Sequence, residues 1–152
     1  LRRLWPHATI AMFRTILVPV DLTEHEITRA ALQKAEALAE WTGAALRLLN
    51  VQVMLPANFM DYIPADFDEQ QKREAERSLE KLALHLNIPA DRISTIVRTG
   101  GVYPEILAEA DLFGADLIVI GSHRPAMSTY LLGSNAKTVV RHARCSVLVV
   151  RD

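Results

Sequence analysis

Two hydrophobic patterns alternate along this chain. Short runs of Val, Ile and Leu, such as 117–120 and 147–150, are typical of strands buried on both faces of a sheet. Between the runs, apolar residues recur every three or four positions, as Ile27, Ala31 and Ala35 do, which is typical of amphipathic helices. The alternation predicts five strands, at 14–21, 44–53, 92–98, 116–120 and 147–150. It also predicts four intervening helices. The first two run from residue 23 to about 41 and over 66–87. The third begins at the turn containing residue 104 and ends at residue 114, and the fourth runs from residue 134 to about 143.

The order of these elements, βαβαβαβαβ, defines the expected fold class. It predicts an α/β fold, with a five-stranded, mostly parallel sheet and helices on both faces in a three-layer sandwich. Ligands of such sheets bind beyond the carboxyl ends of the strands, where the strand order reverses. Residues 1–11 fit no element, and we predict an N-terminal extension followed by one domain at 12–152. The irregular stretch at 54–65 is long enough to indicate a functional or mobile loop.

Residues at the helix ends support these boundaries. Thr23 and Glu26 have the spacing of a capping box, in which each side chain bonds the backbone amide of the other residue. Gly43 and Gly114 follow the first and third helices, where a left-handed C-terminal cap favours glycine. Pro104 suits the first turn of the third helix, because amides there have no partner within the helix.

Composition narrows the range of partners. Among 152 residues, 17 are Lys or Arg and 18 are Asp or Glu, which gives a net charge of −1. Nucleic acids and anionic membranes attract strongly basic proteins, so we predict neither as a partner. No apolar run approaches the ~20 residues that span a bilayer. The single cysteine, Cys145, excludes an internal disulfide and favours a reducing compartment, the cytoplasm, and we expect its side chain to be packed and unreactive.

One segment has the features of an anion site. The strand at 116–120 ends at Gly121, a polar loop follows, and Gly133 precedes a helix that opens at Ser134. Glycines let the backbone approach a ligand, and the unpaired N–H groups of a helix start attract an anion. The segment therefore predicts a phosphate-binding site.

Other common signatures are absent from the sequence. It contains no G-x-G-x-x-G, no G-x-x-x-x-G-K-[ST] and no G-x-S-x-G, which argues against the usual dinucleotide fold, a P-loop NTPase and a nucleophile elbow. The five histidines lack the spacing of a metal cage. We therefore expect no resident metal and no hydrolysis by a triad or a bound metal.

Four stretches of the sequence point to a family. They are Ile-Leu-Val-Pro-Val-Asp at 16–21, Asp-Leu-Ile-Val-Ile-Gly-Ser at 116–122, Leu-Leu-Gly-Ser-Asn-Ala at 131–136, and the C-terminal stretch at 141–150. In this combination and order they resemble the universal stress protein family over 12–152. The sequence Ser-His-Arg-Pro at 122–125 resembles that of the small bacterial subgroup of this family labelled F and G. The resemblance implies a Rossmann-like sandwich of the adenine nucleotide alpha hydrolase type.

The nucleotide motif of the family is altered in two places. Nucleotide-binding members carry G-x2-G-x9-G-[ST]; here Gly121 matches the first glycine, but Arg124 stands at the second. The spacing to Gly133 and Ser134 is one residue short. A guanidinium at this place either pairs with phosphate oxygens or fills the space that a phosphate chain would need.

The resemblance also implies which residues surround an adenine nucleotide. Pro19, Val20 and Asp21 match the segment bordering adenine and ribose, with Asp21 toward the ribose or toward Mg²⁺ carried by the nucleotide. Val51 matches the position whose backbone meets the adenine edge. Two groups would line the ribose and phosphates, the second through backbone amides and the Ser134 hydroxyl: Gly121, Ser122, His123 and Arg124, and Gly133, Ser134, Asn135 and Ala136.

Each residue with a proposed role also has a purely structural interpretation. Asp21 caps a turn, Ser134 caps its helix, His123 is an exposed loop residue and Val51 is part of the apolar sheet. Only their convergence at one edge of the sheet favours a binding site.

The resemblance leads to three functional hypotheses. The first is a protein that binds ATP as a regulatory or sensing module in the stress response, with the loop at 121–133 closing on the phosphates. The second is an enzyme with weak ATP hydrolysis or self-phosphorylation, for which Asp21 and His123 are the candidate bases. The third is a nucleotide-free dimeric scaffold. Because the family dimerises through its last strand, the resemblance implies a homodimer through 147–150, whose apolar edge favours pairing.

Overall fold

The computed structural model describes residues 12–122 and 133–151. The strands are β1 (Thr15–Pro19), β2 (Ala45–Gln52), β3 (Ile93–Thr99), β4 (Leu117–Gly121) and β5 (Ser146–Val150). The helices are α1 (His25–Thr42), α2 (Phe67–Leu84), α3 (Val102–Phe113) and α4 (Ser134–His142). All nine predicted elements are therefore present. The stretch predicted as irregular contains a short 3₁₀ helix at Ala57–Tyr62.

The five strands form one sheet in the order β3-β2-β1-β4-β5. All four pairings are parallel; Ile16 of β1, for example, lies between Leu46 of β2 and Leu117 of β4. The predicted α/β fold is confirmed. The chain runs outward from β1 to β3 and then returns to the other side of β1, so the strand order reverses between β1 and β4.

Helices cover both faces of the sheet. Alternate strand residues point to opposite faces, so Ile16 and Val18 join the core beneath α1 and α2, while Leu17 joins the core beneath α3 and α4. β4 divides in the same way, with Val119 on the first side and Ile118 on the second. Burial on both sides explains why the strands are continuously apolar in sequence.

The ends of α1 are formed differently from each other. Gly43 has φ 73° and its N–H donates to the Ala39 carbonyl at 2.9 Å, which confirms the glycine cap. The predicted capping box is wrong, because the N-cap is Glu24 and no side chain caps the helix. Thr23 instead donates its N–H and its hydroxyl to Asp21 Oδ1, at 2.9 and 2.6 Å. The Asp21 carboxylate thus binds the Thr23 hydroxyl, which a capping box would need for the helix amide.

α2 also ends earlier than predicted. The helix ends at Leu84, with His85 at its C-cap. The N–H groups of His85 and Leu86 donate to carbonyls three residues earlier, so the last turn tightens before Pro89. Within the two described ranges, no helix combines the length and apolar content needed to cross a membrane.

A buried ion network fills the space between α3 and the strands β2 and β3. The carboxylate of Glu109, whose side chain is 2% exposed, accepts hydrogen bonds from Arg47 at 2.8 Å and Arg98 at 3.0 Å. Arg98 also pairs with Glu105, and this hydrogen bond raises the pKa of the Arg98 guanidinium. The Arg47 guanidinium lies 4.1 Å from the ring centre of Phe113. Charged side chains therefore replace part of the apolar core on this face.

Candidate functional site

A cavity of about 510 Å³ opens where the strand order reverses, beyond the carboxyl ends of β1 and β4. Nine of the twelve predicted site residues line it: Pro19, Val20, Asp21, Val51, Gly121, Gly133, Ser134, Asn135 and Ala136. The fold thus brings together residues more than a hundred positions apart. The volume of the cavity suits a small organic ligand.

Of the other three predicted residues, the described part of the chain contains Ser122, and it does not line this cavity. Ser122 lies just after β4, and its N–H donates to the Val150 carbonyl at 2.8 Å, which extends the pairing of β4 with β5. His123 and Arg124 lie outside the residues that the structure describes. Their predicted roles remain predictions.

Two buried hydrogen bonds fix the exit of β1 into the cavity. The Val20 N–H donates to the Leu49 carbonyl at 2.7 Å, and the Val20 carbonyl accepts the amide of Asn50 at 2.9 Å. Asn50 lines the cavity and is 9% exposed. Sequence reasoning missed this residue, although an amide inside the apolar strand Ala45–Gln52 was a usable signal, since buried polar groups need partners.

Asp21 organises the turn at the mouth of the cavity. Its Oδ1 accepts both hydrogen bonds from Thr23, and its carbonyl accepts the hydroxyl of Thr28 at 2.7 Å. Asp21 therefore caps this turn, as its structural interpretation predicted. In the described part of the chain nothing donates to Asp21 Oδ2, so this oxygen can still accept a ligand hydroxyl or contact a cation.

Gly121 permits a close contact between β4 and α1. A Cβ at this position would overlap Ile27 Cγ2 and lie 3.2 Å from the Ile27 carbonyl oxygen. The glycine is thus required for helix packing against the sheet, which is a different reason from the predicted approach of a ligand.

The start of α4 forms the polar end of the cavity. Gly133 is the N-cap, Ser134 is the first helical residue, and no side chain caps the helix. The interpretation of Ser134 as the helix cap is therefore wrong, because Gly133 holds that position. Ser134 and Asn135 are exposed, whereas Ala136 is buried. Uncapped amides at the positive end of a helix favour an anionic group here.

The remaining walls of the cavity are mostly apolar. They include side chains that sequence reasoning did not assign to the site, from α1, α3 and the strand ends: Ile27, Ala31, Val102, Ile106, Ile120 and Val53. Val53 is 68% exposed and lies at the rim. The cavity therefore has uncapped helix amides at one end, a largely apolar wall and the Asp21 carboxylate at its mouth.

Among the described residues, Asp21 and Glu24 are the carboxylates that line this cavity. No cluster of three or more His, Cys, Asp or Glu side chains that could hold a metal occurs within 12–122 and 133–151. Cys145 is half-buried among the apolar residues beneath α3 and α4, and burial raises the pKa of its thiol. A packed thiol was predicted, and the structure agrees.

The fold and the cavity together define a small α/β protein with a ligand-sized cavity at the switch point of a parallel sheet. A sequence model described as the universal stress protein family matches residues 12–151. The chain therefore belongs to the universal stress protein family, and the predicted resemblance is confirmed.

Individual relatives extend this assignment. The chain is 42% identical over 143 residues to universal stress protein G of Escherichia coli O157:H7, covering 92% of this chain and 100% of the relative, which supports the G-type subgroup. The structure of a universal stress protein from Lactobacillus plantarum aligns with a TM-score of 0.71 and 26% identity over 91% of this chain and 97% of the other. A universal stress protein in complex with cAMP shares the fold, with a TM-score of 0.66, 24% identity and coverage of 91% and 97%.

Proposed function

We propose that this universal stress protein binds ATP reversibly and acts as a regulatory or sensing module in the stress response. The observation that carries the proposal is the cavity at the switch point, which gathers nine predicted nucleotide-site residues from four separate segments. The universal stress protein in complex with cAMP, which shares this fold, supports an adenine nucleotide as the ligand class. The half-buried single cysteine supports a reducing compartment, the cytoplasm, as its location.

The contacts of the cavity favour one orientation of the nucleotide. The phosphates would lie at the uncapped amides of α4, beside Ser134 and Asn135. The base would lie against the apolar wall near Val51, and the ribose near Asp21. Asp21 is the one carboxylate among the predicted site residues, and Mg²⁺ would enter as an ion carried by the phosphates, with Oδ2 of Asp21 as a protein contact.

The first experiment tests for bound nucleotide directly. The purified chain is heat-denatured and the supernatant is assayed for adenine nucleotide, and the emptied protein is then titrated with ATP by calorimetry. Saturable binding supports the proposal. A protein that releases no nucleotide and also ignores added ATP would contradict it.

A charge substitution at α4 tests the phosphate contact. Ser134→Asp places a negative charge where the phosphates would lie, and we expect ATP affinity to fall by about tenfold or more through repulsion. The helix itself tolerates the change, because an acidic residue in the first turn is favourable. Ser134→Asn has nearly the same shape without the charge and is the matched control. Equal affinities for the two variants would exclude phosphate binding at α4.

We also propose that the protein forms a homodimer through β5. This strand ends the sheet, so its outer backbone groups face away from the other strands, and Leu148 on it and Val140 on α4 are 37% and 45% exposed. We expect light scattering at micromolar concentration to give twice the chain mass. Leu148→Lys should shift that mass toward the monomer, while Leu112→Lys, at a more exposed position on α3, should not. A monomeric mass for the unmodified chain would reject the dimer.

A further inference from the structure

The side-chain amide of Asn50 is a buried polar group in the lining of the switch-point cavity. Asn50 lies near the end of β2, between Leu49 and Val51, and is 9% exposed. A buried amide has two polar atoms, and each loses its water when the chain folds, so each needs a new partner. The nitrogen and the oxygen of this amide have different surroundings, and the difference bears on which ligand the cavity accepts.

The backbone of β1 fixes the orientation of this amide. Asn50 Nδ2 donates to the Val20 carbonyl at 2.9 Å. A carbonyl oxygen accepts hydrogen bonds and donates none, so the amide nitrogen, and not the amide oxygen, lies against Val20. Val20 is itself held in place, because its N–H donates to the Leu49 carbonyl at 2.7 Å. The oxygen Oδ1 therefore lies on the side of the amide that faces away from the Val20 carbonyl.

Oδ1 of Asn50 has no hydrogen-bond donor among the residues that the structure describes, since the bond to Val20 uses Nδ2. Within those same residues, no buried or half-buried side chain has a nitrogen or oxygen that is both enclosed and without a partner. Oδ1 is therefore not sealed in the core, and it opens on the cavity that Asn50 lines. An amide oxygen only accepts, so it favours an N–H or O–H group of a ligand and disfavours a carbonyl or an anion at the same place.

We propose that Asn50 Oδ1 accepts a hydrogen bond from the exocyclic amine of adenine and thereby determines the base specificity of the cavity. This role rests on the proposed binding of ATP, with the base beside Val51, the next residue of β2. Adenine carries an amine at the ring position where guanine and hypoxanthine carry a carbonyl. An acceptor that faces this position attracts the amine and repels the carbonyl. Asn50 acts here as a specificity-determining residue, with no part in any reaction.

The bond to Val20 makes this selection strict. An unrestrained asparagine can turn its amide over and donate Nδ2 to the carbonyl of guanine. In this chain the same turn would break the bond from Nδ2 to the Val20 carbonyl and place Oδ1, a second acceptor, against it. The cost of that arrangement keeps Oδ1 directed to the ligand, and the cavity therefore selects a ligand that offers a donor.

Purine riboside triphosphate, which is ATP without the exocyclic amine, is the probe. Calorimetry with the unmodified chain should show that it binds about tenfold more weakly than ATP, because Oδ1 loses its donor. Asn50→Leu should bind the two nucleotides with nearly equal affinity, since the amine then has no acceptor. Asn50→Ala leaves room for a water molecule at the Val20 carbonyl, and it should reduce the preference for ATP in the same way if Asn50→Leu does not fold.

Two controls separate base recognition from other effects. Leu79→Ala truncates a fully buried side chain of α2 outside the cavity, so it should lower stability and keep the preference for ATP. Titrations with 2′-deoxy-ATP and 3′-deoxy-ATP test the ribose: if Asn50→Leu abolishes the effect of losing a hydroxyl instead of the amine, Oδ1 faces the sugar and the proposed role is wrong. An unchanged preference for ATP in Asn50→Leu would also overturn this role while leaving ATP binding intact. Failure of the unmodified chain to bind ATP would overturn the proposed function, and the role of Asn50 with it.

Discussion

Single residues at the site are held by contacts that leave little freedom. Asn50 closes the exit of β1 through one buried hydrogen bond, and Gly121 lets α1 approach β4. Both residues therefore help to determine where the other residues of the cavity lie, and their substitution tests the geometry of the site through stability.

Substitution of Gly121 by alanine is expected to destabilise the fold. The added Cβ would overlap Ile27, and forcing a methyl group into a packed contact costs about 1–3 kcal/mol. Urea denaturation should show a lower midpoint with an unchanged slope. Ile27→Ala in the same chain removes Cγ2, so the double variant should lose less stability than the sum of the single variants. Strict additivity would mean that the two residues are not in contact.

Asn50→Leu should also destabilise the fold while keeping the side-chain volume. The substitution leaves the buried Val20 carbonyl without its side-chain donor, at a cost of about 1–3 kcal/mol in the free energy of unfolding. Urea denaturation measures the loss. A neutral effect would show that the Val20 carbonyl finds another partner.

The thiol of Cys145 is expected to react slowly at mildly alkaline pH. Burial raises its pKa above the ordinary value, so at pH 8 a smaller fraction is thiolate than in an exposed cysteine. The rate of reaction with Ellman's reagent should therefore be low at pH 8 and should continue to rise beyond the pH at which an exposed cysteine levels off. The same protein unfolded in urea provides the reference. A native rate equal to the unfolded rate would contradict a buried thiol.

At the scale of elements, the prediction succeeded where local pattern determines structure. All nine elements follow from hydrophobic periodicity, and the caps at Gly43 and Gly114 follow from left-handed backbone that glycine alone adopts freely. It failed where two local motifs compete. Thr23 bonds Asp21 and forms no capping box, because the Asx turn is formed within three residues whereas the box needs a helix already in place.

The ion network beneath α3 was beyond sequence reasoning for a different reason. Glu109 and its partner Arg47 are 62 residues apart, and only the register of β2 against α3 brings them together. Arg47 lies between two buried leucines in a strand whose sequence is mostly apolar. Periodicity gives the face on which such a residue lies, but it does not identify the partner on another element.

Loss of the buried carboxylate should cost far more than loss of an exposed one. Glu109→Gln removes the charge that pairs with both Arg47 and Arg98, and breaking a buried network costs about 3 kcal/mol. Glu69→Gln is the matched control, since its pair with Arg73 at 3.2 Å is exposed and is worth less than about 0.5 kcal/mol. Thermal or urea unfolding of the two variants measures the difference. Similar losses would mean that the network contributes nothing beyond a surface pair.

At the scale of the whole molecule, the switch-point cavity is a consequence of topology. β1 and β4 are neighbours, but the helices that follow them cover opposite faces, since α1 packs with the first core and α4 with the second. The two connections therefore diverge and leave a gap above the sheet. The order of elements predicts this gap from sequence. Its volume and its apolar wall depend on side chains of α1 and α3, which no local motif relates to the site.

A ligand that occupies this gap joins both layers of helices to the sheet and should stabilise the entire fold. If ATP binds as proposed, a hundredfold excess over its dissociation constant adds about 2.7 kcal/mol to the free energy of unfolding. For a chain of 152 residues this corresponds to a rise of roughly 5–10 °C in melting temperature. GTP at the same concentration is the control, because it keeps the triphosphate and changes only the base that lies against the wall near Val51. A larger rise with ATP indicates that this wall selects adenine. Equal rises would assign the binding to the phosphates alone, and no rise with either nucleotide would leave the dimeric scaffold as the function.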